Sequence, residues 1–183
     1  MKKGFKNVVS IICAVAFAVS IFAEAAPVKN AKAADSSDAP VVTERDTWAS
    51  NGYYLEYGGV RYRVITGEEN IPEETEYVGK AVVSGIVSDY KNTITSLDNI
   101  VPYITYKPDD GEAQTFEVVG VYLSINDTCI SDCNNLTSIT LPDTIRFIGG
   151  NGIYGAFQCN PSLKKVNLPK NLTSIGNNAF IEC

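Results

Sequence analysis

Apolar and polar positions alternate most clearly from Gly52 onward. Tyr53, Leu55 and Tyr57 alternate with Tyr54 and Glu56; beyond Gly58-Gly59, Val60, Tyr62 and Val64 alternate with Arg61 and Arg63. A period of two marks half-buried strands. Two such runs around a Gly-Gly pair predict a β-hairpin, because glycine accepts the positive φ of a two-residue turn. In that register Tyr57 faces Val60, Leu55 faces Tyr62 and Tyr53 faces Val64 on an apolar face, and Glu56 lies opposite Arg61 on the other. Val82-Val83, Ile86-Val87, Ile94, Ile100-Val101 and Tyr103-Ile104 are further short β-rich runs. Pro108-Asp109-Asp110-Gly111 predicts a turn, and Phe116 to Leu123 another strand. Nothing from Gly52 on has the period of a long amphipathic helix. Thr66 to Glu76 is acidic but lacks the Asp/Asn spacing around a glycine that a calcium loop needs, so it reads as a solvated loop.

The last third of the chain repeats itself. Leu136-Thr137-Ser138-Ile139-Thr140-Leu141-Pro142 recurs as Leu163-Lys164-Lys165-Val166-Asn167-Leu168-Pro169. Ile145, Ile148 and Gly149 then match Leu172, Ile175 and Gly176, and Ala156-Phe157 matches Ala179-Phe180. An earlier, degraded copy runs through Ile125 and Ile130. The Phe-position spacings are 27 (Ile130 to Phe157) and 23 (Phe157 to Phe180), which places a four-residue insertion around Gly150 to Tyr154. L-x-x-I-x-L turns three side chains inward on a short strand, proline ends the strand, and the remaining apolar residues line the returning arc. This is the pattern of a solenoid with parallel strands. Leu136, Ile139, Leu141, Leu163, Val166 and Leu168 are expected inside, and Ser138, Thr140, Lys165 and Asn167 outside.

The spaced motif L-x-x-I-x-L-P, then I-G-x-x-A-F-x-x-C, resembles the BspA-like leucine-rich-repeat family, also called the Treponema pallidum type, over about Phe116 to Cys183. Ile130 stands for the motif's Phe, Gly150 to Tyr154 is extra, and Cys159 lies one residue short of the usual Phe-to-Cys spacing. The resemblance implies a secreted or surface-displayed bacterial protein that adheres to host proteins or other cells without catalysis.

Before the strands, Met1 to Lys6 is basic, Val8 to Phe22 is apolar, and Ala23-Glu24-Ala25 is a small-residue cleavage site, with Ala31-Lys32-Ala33 as a reserve. These are the three parts of a secretory signal peptide, and the apolar run is shorter than a membrane span needs. The expected organisation is a signal peptide (1–25), a flexible leader (26–50), a β-rich N-terminal module (51–115) and leucine-rich repeats (116–183), mainly β throughout, with no membrane span after cleavage. Removing Lys2, Lys3, Lys6 and Glu24 takes the formal charge from -6 to -8 (12 basic minus 20 acidic). An acidic mature chain has no electrostatic footprint for nucleic acid.

The chain contains no histidine. That removes His-based nucleophile triads, H-E-x-x-H zinc sites and imidazole acid/base chemistry. Cys129, Cys133, Cys159 and Cys183 remain after cleavage. Their even number permits disulfides. The repeat places Cys133 and Cys183 at its motif position and Cys129 at the Ala156 position, where a buried thiol acts as a small apolar side chain. The expectation is that Cys133 and Cys159 carry no disulfide, and that the chain binds no metal and no cofactor.

Ser138, Thr140, Lys165 and Asn167 are the candidate ligand-binding residues, on a strand face that recognises a host or bacterial surface protein or glycan. A structural stalk, or the front part of a larger surface protein, is the second reading. A carboxylate-pair hydrolase is the third, and it requires two acids converging in one cleft. No catalytic residue is assigned. Because Cys183 falls inside a repeat, Leu168, Leu172, Ile175 and Phe180 are expected to be partly uncovered, favouring a longer array or self-association.

Overall fold

The structure, a computed structural model, describes residues 35–45, 54–67, 74–122, 130–149 and 155–183. The segment read as a signal peptide, Tyr53, the centre of the acidic loop, Ile125, Cys129 and the Gly150 to Tyr154 insertion lie outside the described residues. The elements are β1 (Val41–Val42), β2 (Tyr54–Tyr57), β3 (Val60–Val64), α1 (Glu74–Tyr77), β4 (Ala81–Ile86), α2 (Ser88–Lys91), β5 (Ser96–Leu97), β6 (Tyr103–Tyr106), β7 (Gln114–Tyr122), β8 (Ser138–Thr140), β9 (Phe147–Gly149), β10 (Lys165–Asn167) and β11 (Ser174–Ile175). The fold is mainly β.

The hairpin forms in the predicted register. Leu55 faces Tyr62, Glu56 faces Arg61 and Tyr57 faces Val60, and Gly58 and Gly59 take φ of 58° and 78°. Arg61 reaches Glu56 Oε1 through Nη2 at 2.6 Å. The apolar face is not uniformly covered: Leu55, Val60 and Tyr62 are fully buried, whereas Tyr57, at the turn, is 43% exposed.

Beyond the hairpin, β3 pairs antiparallel with β4, and β4 lies parallel to the second half of β7. The first half of β7 pairs antiparallel with β6. Every residue of β4 is buried because the sheet is covered on both faces. Val83 enters the main core, while Val82 joins a second cluster with Ile65, Tyr77, Val119, Tyr122 and Phe147. Strand alternation is therefore invisible in that run. Two runs read as β-rich are not strands: Ile94 and Ile100-Val101 are connections, and Val87 leads into the single helical turn of α2. The acidic loop likewise ends in the single turn α1.

The segment read as a flexible leader departs from that reading over Asp35 to Arg45. Val41 and Val42 form β1, parallel to Thr105 and Tyr106 of β6. A two-residue strand is too short for periodicity to reveal; its β-branched pair was the signal.

Two stacks of short parallel strands complete the fold. In one, β8 lies between β5 and β10, with Ile139 beside Leu97 and Val166. In the other, β9 lies between β7 and β11, with Ile148 beside Val121 and Ile175. Leu97, Leu136, Ile139, Ile145, Ile148 and Phe157 fill the space between the stacks at 1% exposure or less. Burying one such side chain contributes about 1.5–3 kcal/mol, so this seam supplies much of the cohesion. Gly120 makes the β7–β9 approach possible: a Cβ there would lie 2.3 Å from the Phe147 ring.

Burial fades toward the last turn. Leu136, Ile139 and Leu141 are buried as expected, but Leu163 and Val166 are only half-buried and Leu168 is 50% exposed. Leu141 is covered by the following turn, whose Asn167 carbonyl accepts the Leu141 amide at 3.2 Å. Among the described residues no strand pairs with the outer edge of β10 or β11. Ile175 is 48% exposed, and Leu172 and Phe180 are half-buried.

Candidate functional site

The register of β8 and β10 brings the four sequence-predicted residues onto one surface. Ser138 stands beside Lys165, and Thr140 beside Asn167. Both pairs flank the inward-pointing Ile139 and Val166, so alternation turns them outward. Asn167 Nδ2 donates to Thr140 Oγ1 at 2.9 Å, which fixes that pair as one hydrogen-bonding unit. Thr140, Lys165 and Asn167 are exposed as expected; Ser138 is instead half-buried, because it is flanked on both sides, by β5 and by Lys165 of β10, whereas Thr140 has a neighbour only on β10. Among the described residues no carboxylate lies within ion-pair distance of Lys165.

Sequence reasoning missed the first member of this row. Ser96 of β5 stands beside Ser138, extending the face by one rung. The signal was present: Ile94-Thr95-Ser96-Leu97 copies Leu136-Thr137-Ser138-Ile139. Thr137 binds the Thr95 carbonyl through its amide (2.8 Å) and its hydroxyl (2.9 Å), and the Thr137 carbonyl in turn accepts from the amide of Lys164 at 2.9 Å.

The opposite corner of the turns carries a polar ladder, buried at Cys133 and Asn160 and exposed at Cys183. Asp132, Cys159 and Glu182 all take left-handed φ, at 58°, 55° and 57°, marking one turn conformation repeated three times. Cys159 is thus not the displaced motif cysteine. Asn160 occupies that position, fully buried, with Nδ2 donating to the carbonyls of Ile130 (2.7 Å) and Phe157 (2.8 Å) and Oδ1 accepting from the Cys133 amide (3.0 Å). In the next turn Cys183 Sγ makes the equivalent contact with the Phe157 carbonyl at 3.0 Å. Among the described residues no disulfide joins Cys133, Cys159 and Cys183 to one another.

A separate cleft of about 540 Å³ opens between β1 and β2, lined by Val41 to Arg45 and by Tyr54, Glu56 and Tyr57. Among the described residues it holds two acids, Glu44 and Glu56. Both are exposed and Glu56 is engaged by Arg61, so neither has the apolar enclosure that prepares a carboxylic acid for proton donation. No helix among the described residues is long and apolar enough to cross a membrane.

Parallel rungs, a left-handed corner and an Asn/Cys position recur from turn to turn. Residues 112–183 match the family described as "BspA type Leucine rich repeat region (6 copies)", and this stretch of the chain is a BspA-type leucine-rich-repeat region. No curated protein and no solved structure matches the chain.

Proposed function

We propose that this protein is a secreted or cell-surface binding module of a bacterium, whose repeats form a short solenoid and whose β5–β8–β10 face recognises a protein partner without catalysis. The single observation that carries the reading is the placement of Ser138, Thr140, Lys165 and Asn167 side by side on paired parallel strands. Rigid strands hold such groups at fixed spacing, so little ordering entropy is lost on binding. The signal-like start of the chain supports export, and the repeat family supports protein interaction.

The test is capture from purified host matrix proteins and bacterial surface proteins, comparing the natural chain with a Lys165→Glu, Asn167→Ala variant. Retained fold with lost capture supports the reading. Equal capture by both chains contradicts it.

A second reading, a stacking or stalk role, rests on Leu168, Ile175 and Ile181 at 50%, 48% and 44% exposure. A further repeat or a second copy would cover these side chains and pair the β10 and β11 edges. Sedimentation against concentration tests it: a monomer at every concentration would count against pairing between copies.

A further inference from the structure

The cleft between β1 and β2 has a composition that the strand-face reading does not use. These two strands are the edges of the main sheet, whose order runs β1-β6-β7-β4-β3-β2. The sheet curls until its edges meet across the cleft without pairing. We propose that this cleft is a second binding site, for a neutral saccharide, independent of the strand face.

Three observations converge on that ligand class. The first is charge. Among the described residues Glu44 and Arg45 stand on one wall and Glu56 with its partner Arg61 on the other, so acids and bases balance there. The second is the pairing of an exposed aromatic with unspent polar capacity. Tyr57 is 43% exposed at the cleft, a face on which the C–H side of a pyranose ring can lie. Both Arg61 contacts fall on Glu56 Oε1, leaving Oε2 as an acceptor for sugar hydroxyls. Strand alternation also turns the main-chain groups of Val41 and Thr43 away from β6, toward the cleft, since Pro40 and Val42 supply the carbonyls that β6 uses. The third is size. A volume of about 540 Å³ suits a ligand of a few rings.

The width of the seam decides against the main competitor. Two unpaired sheet edges invite an added peptide strand. A strand inserted between them needs about 9.6 Å, twice the inter-strand spacing. Cα atoms of β1 and β2 approach within 8 Å at their nearest points, so a full strand does not fit between them there.

The experiment uses the chain without its signal peptide and a panel of neutral tri- to hexasaccharides of hexose and N-acetylhexosamine. A sialylated oligosaccharide and an unstructured Val/Thr-rich peptide serve as comparators, with binding read by NMR. The expected result is binding of at least one neutral oligosaccharide, with signal transfer from Tyr57 ring protons to the sugar. Tyr57→Ala should weaken it about tenfold or more, as loss of an aromatic anchor does. Tyr57→Phe should preserve it, and Lys165→Glu should leave it unchanged. Tyr57 is exposed enough for both substitutions to leave the fold intact, which a thermal melt checks. Binding unaffected by Tyr57→Ala, binding of the sialylated sugar alone, hydrolysis of the sugar, or no neutral oligosaccharide bound at all would each overturn the proposal. Peptide binding with shifts at the Val41 and Thr43 amides, in place of sugar binding, would assign the cleft to strand addition instead.

Discussion

Asn160 and Cys133 occupy the same corner of successive turns, and the side chain of the first accepts the backbone amide of the second at 3.0 Å. Through its Nδ2 the same asparagine also caps the Ile130 and Phe157 carbonyls. One fully buried side chain therefore satisfies three main-chain groups on two adjacent turns. Replacing Asn160 with Ala should destabilise the protein by about 3 kcal/mol, because buried groups left without partners cost about 1–3 kcal/mol each. Asn160→Cys should cost less, since cysteine fills the equivalent position at Cys133 and Cys183. Denaturant unfolding of both variants checks the order; equal losses would show that the ladder contributes nothing specific.

Gly155 lies directly against the backbone of the last turn. A Cβ at this position would sit 1.7 Å from the Asn178 carbonyl oxygen, and backbone cannot yield as a side chain end can. Gly155→Ala should push the final turn away at a cost of about 1–3 kcal/mol, the range for overpacking. The loss should be local. Hydrogen exchange is expected to accelerate at the Phe157 and Cys159 amides, which bind the Ala179 and Ile181 carbonyls, and not in the hairpin. Uniform acceleration would mean that the last turn is not a separable layer.

Asp143 links the same turns electrostatically. Its carboxyl is held below the usual carboxylate range, first by the Lys170 amide it accepts, which outweighs the opposing effect of desolvation, and then by the Lys170 charge and ammonium contact. A folded-state value below the unfolded one means stability that is present above the ordinary Asp range and lost as pH falls through the lowered value. Asp143→Asn should flatten the acid limb of the stability profile between those two values. An unchanged acid limb, or an NMR titration of Asp143 at the ordinary Asp value, would refute this.

What the sequence disclosed follows from how regularly each element repeats. The hairpin was legible to the register because two alternating runs and Gly58-Gly59 agree with one another. The strand face was legible because Leu136 to Pro142 and Leu163 to Pro169 share every spacing, and Ser138, Thr140, Lys165 and Asn167 indeed lie together. Ser96 was hidden by a 42-residue gap to its counterpart Ser138, which contains all of β6 and β7 and breaks the period. Asn160 was hidden because the neighbouring Cys159 resembled the motif residue one position early; only the backbone conformation separates them. Two-residue β1 and the cleft it borders depend on long-range pairing with β6, which no local pattern encodes.

The central claim, that the strand face binds a partner, is tested most directly by a hydrogen-exchange footprint of the complex with a captured partner. The account predicts slowed exchange concentrated at Ser96 to Leu97, Ser138 to Thr140 and Lys165 to Asn167, and absent from the outer β7–β9–β11 stack. Protection confined to that outer stack or to the hairpin, with the β8 and β10 amides unchanged, would contradict it.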